Sequence, residues 1–212
     1  MERRDNYAIT VQQAKKLFLE YDQLLLARKL GAKMDEDYFY TTFLSESWRI
    51  HRRTGDMSRR SGESWVDANS FNEVLTLLDL ICDSRENRHA SGAWKNMRDF
   101  GHGFHQNLLE GRDPLAEEFQ AHPQAFARAC QGLGGERYPL GDVAYSIPIF
   151  EDLRLLVQLW FGDEEFNAQL RFLWDENALM YLKYETMYYA LPLVLNRIRE
   201  RMAESYGGKN GC

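Results

Sequence analysis

Three segments in the last third of the chain have a side-chain pattern that repeats every two residues. This period constrains the fold more than any other feature of the sequence. The segments are residues 143–150, 152–160 and 169–174. Successive side chains of a β-strand point to opposite faces, so each segment predicts a strand. The last two strands are separated by the turn 161–165, and a short connection of this kind joins antiparallel partners. We therefore predict an antiparallel sheet in this part of the chain.

The first half of the chain carries a second strand signal. Residues 37–44 are rich in aromatic and β-branched side chains, and residues 48–52 again alternate. These residue types are enriched in strands. We expect a meander of two or three strands here.

Helices are predicted on both sides of this meander. Apolar side chains at helical spacing predict a first helix over 11–30 that ends at Gly31, and Ser70 with Glu73 has the capping-box spacing that starts a second. A closing helix is predicted over about 186–203. The apolar stripe of the first helix consists of Val11, Ala14, Leu17, Phe18, Tyr21, Leu24 and Leu25.

These elements predict the α+β class. The chain has no internal repeat and no low-complexity linker, so we expect one domain over residues 1–206, with an antiparallel sheet of about five or six strands packed with helices. Residues 207–212 are rich in glycine and are expected to be a disordered tail.

Charge and composition exclude several classes of function. The net charge of −6 argues against nucleic-acid binding, which relies on a basic face. The longest apolar run, residues 188–195, is far shorter than the ~20 residues of a membrane span. The cysteines Cys82, Cys130 and Cys212 form no closely spaced pair, and no secretory signal is recognisable. We expect a cytoplasmic protein without a metal–thiolate site.

Motifs for enzymatic chemistry are sparse. The sequence contains no phosphate-binding glycine loop, no nucleophile elbow and no paired zinc-ligand motif, so no catalytic residue and no cofactor is predicted. His102 and His105 are an alternative: two histidines three residues apart can hold a metal ion when a third ligand, such as His89 or Asp99, joins them. This alternative describes a metal-dependent hydrolase that also uses the acidic turn at 163–165.

Two charged clusters have alternative interpretations. The turn with Asp163, Glu164 and Glu165 could serve acid–base chemistry or hold a cation, although charged residues at a hairpin tip more commonly keep it soluble. A basic set could hold an anion or phosphate, although pairing with the protein's own carboxylates or with a partner's acidic face is the more common role. This set consists of Arg49, Arg52, Arg53, Arg59 and Arg60.

The stretch 94–100 places a cation between aromatic residues, next to the irregular segment 83–112. Long irregular segments are often functional, and an aromatic ring beside a cation suits a binding cleft or the edge of a core. The sequence does not distinguish between these two.

The C-terminal two-thirds of the chain resembles domain-of-unknown-function family 3786. The strongest matching piece is 159–166, and Ser91–Trp94 with Arg98–Phe100 is the next. Further matching residues are Gly103, Phe104, Asp113, Pro114, Leu115, Phe119, Gly134, Gly135, Gly141, Asp142, Phe172, Leu173, Trp174, Asp175, Tyr181, Leu182 and Glu185.

What the resemblance implies is limited, because the family has no established activity. It implies an association of some relatives, many from anaerobes, with corrinoid or iron–sulfur proteins of one-carbon metabolism. The cysteine-rich cluster motifs of some relatives are missing here, so direct cluster binding does not carry over. Asn167 replaces the family's usual proline, the glycines of its last helix are absent, and the basic set is peculiar to this chain.

The leading interpretation is a non-catalytic binding or accessory domain for a protein partner or a small ligand. An alternative is a structural homo-oligomer with Trp94 and Trp160 at a subunit contact. In the leading interpretation, residues 92–106 and 160–166 meet in one recess. Its binding residues are predicted to be Trp94, Arg98, Phe104, Trp160, Asp163 and Glu164.

Overall fold

The N-terminal strand signals form an antiparallel meander in the computed structural model, which describes residues 6–101 and 114–207. The side chains of Phe39, Ile50 and Met57 on one face are fully buried, so this face forms a core. The predicted meander is confirmed, with four strands where two or three were expected. The strands are β1 (Tyr38–Phe43), β2 (Glu46–His51), β3 (Met57–Ser61) and β4 (Ser64–Asp67).

This meander belongs to the first of two compact units, which comprises the chain up to Arg88 together with Leu179–Leu193. The second unit comprises His89–Ala178 and the residues from Val194 onward. The helices that contribute to the first unit are α1 (Asn6–Glu20), α2 (Gln23–Leu30), α3 (Phe71–Leu78) with the π-helical turn Asp79–Asp83 that extends it, and the first part of α6 (Tyr184–Gly207).

The predicted single helix over 11–30 is wrong, because the chain breaks at Asp22. The Asp22 carboxylate accepts hydrogen bonds from the backbone N–H groups of Leu24 and Leu25 at 2.9 and 3.1 Å. It thereby caps the N-terminus of α2, and Gly31 ends that helix in the left-handed conformation as predicted. The Ser70–Glu73 capping box at the start of α3 is also confirmed.

The break also changes which side chains α1 buries. Val11, Lys15 and Phe18 face the core, whereas Leu17 of the predicted stripe is exposed. Lys15 is buried because its Nζ donates to Asp56 at 2.7 Å and to Asn69. A lysine therefore takes a buried position that hydrophobic periodicity does not predict, and it pairs there with a largely exposed Asp56.

A polar cluster lies where α3 passes into the π-helical turn. Asp79 accepts a hydrogen bond from the backbone N–H of Lys183 at 2.7 Å, and the Lys183 ammonium contacts both Asp79 and Asp83. Burial raises the pKa of Asp79. Burial alone would also raise the pKa of Asp83, but hydrogen bonds from Lys183 and Tyr21 outweigh it and lower that pKa. The hydrogen bond to Asp83 raises the pKa of Tyr21 to about 12.

The second unit contains a five-stranded antiparallel sheet with strand order β5-β9-β8-β7-β6. The apolar side chains of one sheet face, among them Ile147, Val157 and Trp174, are buried, and α4 and α5 pack against the sheet. The elements are β5 (Trp94–Asn96), the 3-10 helix Met97–Phe100, α4 (Pro114–Ala121), α5 (Pro123–Gly132), β6 (Glu136–Arg137), β7 (Val143–Phe150), β8 (Leu153–Trp160) and β9 (Gln169–Asp175).

These two sheets confirm the α+β class and the antiparallel pairing. The strands are divided between a four-stranded and a five-stranded sheet. Nothing in the structure tests the single domain over 1–206, which stays a prediction. Residues 208–212 of the predicted tail lie outside the described residues. No helix in the described part of the chain combines the length and the apolarity that crossing a membrane requires.

Candidate functional site

The five-stranded sheet is strongly curled. Its two edge strands, β5 and β6, would be about 19 Å apart in a flat sheet with four interstrand spacings. The ring of Trp94 in β5 nevertheless lies 5.9 Å from the ring of Tyr138, which directly follows β6. The sheet therefore curves until side chains from its two edges touch, and the face that carries both rings is concave.

Strand register determines which other side chains share this concave surface, which we call the inner face. Directly opposed residues of neighbouring strands point to the same side. Trp94 is opposite Asp175, Arg171 is opposite Gln158, and Gln158 is opposite Ala144. Alternation along each strand extends the set. The inner face thus consists of Trp94, Asn96, Glu136, Tyr138, Ala144, Ser146, Pro148, Arg154, Leu156, Gln158, Trp160, Gln169, Arg171, Leu173 and Asp175.

Two buried donors on the inner face lack an acceptor. Gln158 is only 2% exposed, and no described residue accepts a hydrogen bond from its Nε2. The Nε1 of Trp160, two residues further along β8, is likewise buried and unpartnered. The exposed guanidinium of Arg171 lies 5.7 Å from the centre of the Trp160 ring. Because an unpaired buried donor is costly, Gln158 and Trp160 mark a candidate site on the inner face, beside Arg171, which donates to Gln169 Oε1 at 2.8 Å.

The position of Trp160 depends on a close approach by the chain before β7. A Cβ at Gly141 would lie 3.4 Å from the Trp160 ring, so glycine lets the backbone pass against the indole. Asp142 then accepts a hydrogen bond from the Phe161 N–H at 2.7 Å. These two residues hold the end of β8 in place.

The turn after Trp160 is built around Gly162 and Asp163. A Cβ at Gly162 would lie 2.7 Å from the backbone nitrogen of Ala168, which leaves no room for a side chain. The Asp163 carboxylate accepts hydrogen bonds from the N–H groups of Glu165 and Phe166, both at 2.8 Å. These hydrogen bonds lower the pKa of Asp163, and the bond from Phe166 has the larger effect. The Asp163 side chain therefore organises the turn by accepting hydrogen bonds from the backbone of the turn.

Asp175 anchors the opposite end of the inner face. It is 2% exposed and accepts hydrogen bonds from the backbone N–H groups of Ser91, Gly92 and Asn177 at 2.8–3.0 Å, and from the Ser91 hydroxyl. The loop that it holds leads directly into β5 and places Trp94 against Tyr138.

The structure places the predicted site residues in different surroundings. Trp94 and Trp160 share the inner face, but they are opposite Asp175 and Gln169, at the two ends of β9 and about 20 Å apart along that strand. Arg98 is exposed in the 3-10 helix that lies against β9. The predicted recess between 92–106 and 160–166 stays a prediction.

The remaining predicted residues divide into two groups. Asp163 caps its turn, and Glu164 is exposed at its tip. Phe104, His102 and His105 lie outside the described residues. Across residues 6–101 and 114–207, no three His, Cys, Asp or Glu side chains are grouped so that they could hold a metal ion. The metal-dependent hydrolase stays a prediction.

The two cysteines that the structure describes do not have the character of nucleophiles. Burial raises the pKa of the Cys82 thiol to about 12 and raises that of Cys130 as well. Cys130 is completely buried. The interpretation of both as small apolar residues agrees with this environment.

Sequence reasoning missed Gln158, Arg171, Tyr138 and the anchoring role of Asp175. A signal for Gln158 was present, because it is a polar residue in the otherwise apolar run at the centre of β8. Its pairing with Arg171 depends on the register across the 161–168 connection, which the sequence alone does not define.

None of the curated proteins and none of the solved structures compared with the chain matches it. One family model, Domain of unknown function (DUF3786), matches residues 22–197, which is most of the chain and includes both sheets. The curled sheet with its inner face and the meander before it are thus features of a member of a recognised family: this chain belongs to Domain of unknown function (DUF3786).

Proposed function

We propose that this protein is a non-catalytic binding domain whose small ligand lies on the inner face of the curled sheet, against Gln158, Trp160 and Arg171. The observation that carries the proposal is the pair of buried donors, Gln158 Nε2 and Trp160 Nε1, for which no described residue supplies an acceptor. A bound ligand that accepts both hydrogen bonds would remove the cost of leaving them unmade.

The surrounding side chains indicate the chemistry of such a ligand. Two N–H donors and the Arg171 cation favour oxygen acceptors, and a negatively charged acceptor gains most from them. The Trp160 ring beside the Arg171 guanidinium offers a surface on which a planar group can stack. We therefore expect a small ligand with a planar portion and a carboxylate, phosphate or carbonyl group.

A binding role fits this face better than catalysis. The Ser146 hydroxyl accepts a hydrogen bond from Arg154 Nε at 2.7 Å. Arginine does not act as a base at neutral pH, so this serine is not activated as a nucleophile. The implied association with corrinoid or iron–sulfur proteins and the homo-oligomer alternative both stay predictions.

The variant Gln158→Met tests the proposal, because it removes the donor and keeps a similar side-chain volume. The matched control is Gln131→Met, the same substitution at an exposed position of α5. Each protein is incubated with a protein-free small-molecule extract of cells, and the compounds that remain bound are identified by native mass spectrometry.

We expect wild type and Gln131→Met to retain the same compound and Gln158→Met to lose it. Gln158→Met should also unfold at higher denaturant concentration, with about 1–3 kcal/mol of added stability, because an unsatisfied buried amide is gone. Retention of the same compound by Gln158→Met, or no retained compound in the wild type, would refute the proposal.

A further inference from the structure

We infer that the outer face of the N-terminal meander is a docking surface for an acidic segment of another protein, with Arg49 as its anchor. This surface lies in the first unit and is independent of the proposed ligand on the inner face. The outer face is defined by Tyr38, Tyr40, Arg49, His51, Ser58, Arg60, Trp65 and Asp67.

Strand register places these residues on one side of the sheet. Tyr40 is opposite Arg49, and Arg60 is opposite Trp65. The alternate positions, such as Phe39 and Ile50, are fully buried in the core. Since side chains alternate along a strand, the aromatic and basic residues point away from that core.

Arg49 is held between two aromatic rings. Its Cζ lies 4.2 Å from the ring centre of Tyr38 and 4.6 Å from that of Trp65. These distances are well within the range of cation–π attraction. The rings fix the guanidinium plane, so little side-chain freedom remains to be lost when a partner binds.

The guanidinium of Arg49 nevertheless has no polar partner among the described residues. Its Nε is buried without an acceptor, and no hydrogen bond or ion pair within residues 6–101 or 114–207 involves the group. Arg49 as a whole is half-buried, but a buried N–H donor in this state is costly unless an acceptor reaches it.

Neighbouring arginines of the basic set behave differently. Arg52 donates to the backbone oxygen of Asp35 at 2.6 Å and to Gln23, so it serves the fold. Arg53 is exposed and lies 3.7 Å from Asp37. Arg53 therefore pairs with one of the protein's own carboxylates, whereas no carboxylate of the described residues pairs with Arg49.

Arg60 adds a second cation on the same ring. Its Cζ lies 5.6 Å from the Trp65 ring centre, and its Nε donates to the Gly62 carbonyl. Two guanidinium groups thus flank one indole on the outer face. Arg49 and Arg60 outnumber Asp67, the acidic residue that the register places on the same face, whereas the whole chain has a net charge of −6.

Charge and residue type together define the occupant. The planar fork of arginine matches a carboxylate, which it binds through two parallel hydrogen bonds. Tryptophan, tyrosine and arginine are the residue types that dominate binding energy in protein interfaces. A nucleic acid would have to approach a chain of net negative charge, which disfavours it. An acidic protein segment is therefore the occupant that these observations favour.

The test uses the full-length protein and a hexaglutamate peptide as the acidic probe, with hexaglutamine as its neutral counterpart. Binding is followed by NMR through the Trp65 Nε1–H signal in every protein and, where Arg49 is retained, also through its Nε–H signal. Arg49→Gln removes the cation, and Arg49→Lys keeps the charge but loses the planar fork. Arg53→Gln is the matched control, because it removes the same charge from an exposed arginine of the same hairpin.

We expect hexaglutamate to shift both signals and hexaglutamine to leave them unchanged. Both Arg49 variants should weaken binding by about tenfold, whereas Arg53→Gln should change it less than about twofold. Arg49→Lys guards against loss of folding, which circular dichroism checks for every variant.

Three results would overturn the inference. One is an absence of hexaglutamate binding by the wild type. Another is an equal loss of binding in the Arg49 and Arg53 variants, which would show that binding depends on charge alone and not on the position of Arg49. The third is tighter, Arg49-dependent binding of a short oligothymidylate than of hexaglutamate, which would assign the surface to nucleic acid. None of these results bears on the compound retained through Gln158.

Discussion

Asp175 is the side chain whose replacement tests the architecture of the inner face most directly. It is 2% exposed, and its carboxylate gathers hydrogen bonds from three backbone N–H groups and the Ser91 hydroxyl. Asp175→Asn keeps one oxygen but replaces the other with an NH₂ group. Gly92 N–H, which lies 2.8 Å from the second oxygen, would then face a donor instead of an acceptor.

The expected cost follows from this exchange. One hydrogen bond to a charged acceptor is lost, worth about 1.5–3 kcal/mol, and the new amide group is buried without a partner. Because the Gly92 backbone is exposed and its N–H can turn to water, we expect a net loss of about 2–4 kcal/mol. The loss should be concentrated in the loop that leads into β5.

Hydrogen exchange measured by mass spectrometry resolves this region. In Asp175→Asn, the backbone amides of β5 should exchange about thirtyfold faster or more, since each 1.4 kcal/mol corresponds to a factor of ten. The control is Asp99→Asn, the same substitution at an exposed residue of the 3-10 helix. If the two variants differ by less than about 0.5 kcal/mol in this region, the assignment of Asp175 as an anchor is wrong.

Three further predictions concern single residues. Gly162→Ala should lower the free energy of unfolding by about 1–3 kcal/mol in urea titrations, since the new Cβ would lie 2.7 Å from the backbone nitrogen of Ala168. The control Gly132→Ala, whose Cβ would meet nothing within 4 Å, should leave the free energy of unfolding unchanged or raise it by up to about 1 kcal/mol. Asp163→Ala should accelerate amide exchange in its turn, and Asp163→Asn, which keeps an acceptor oxygen but loses the charge, should accelerate it less. Because the pKa of Asp163 is lowered, wild-type protection should fall as the pH drops below 3.8. The pKa of Tyr21 is raised to about 12, so its hydrogen bond to Asp83 stabilises the fold below pH 10, and this stabilisation is lost between pH 10 and 12. Tyr21→Phe should therefore reduce the loss of stability at alkaline pH, and an unchanged pH profile would contradict this.

Local signals predicted elements well where the deciding interactions are close in sequence. The alternation in 152–160 and 169–174 and the Ser70–Glu73 capping box needed no distant partner, and the structure confirms them. The helix over 11–30 failed because Asp22 offered the backbone a competing cap in the middle of an apolar stripe. Lys15 was missed because its acceptors, Asp56 and Asn69, are more than 40 residues away.

The candidate site was harder to predict because it depends on curvature. Trp94 and Trp160 were identified from residue type alone, and they do share a face. That this face is concave follows only from the contact between Trp94 and Tyr138, which joins strands at opposite edges of the sheet. No local pattern encodes such a contact, so Gln158 and Arg171 could not be recognised as neighbours of a site.

The residues that carry the family resemblance now have physical roles, and these roles separate the two proposed surfaces. Asp175 with Ser91 and Gly92 fixes one end of the inner face, while Gly141 and the turn 161–166 fix the other. The motif, meaning the residues that carry the family resemblance, therefore holds both ends of the curled sheet in place. The basic set, by contrast, lies outside the residues that carry the resemblance, and Arg49 stands on a different sheet. If the motif reflects function, relatives should retain a ligand on the inner face, whereas docking through Arg49 should be a property of this chain. Repeating the extract and hexaglutamate experiments on a relative without the basic set separates the two: retention of a compound without peptide binding is expected, and peptide binding at full strength would contradict the role assigned to Arg49.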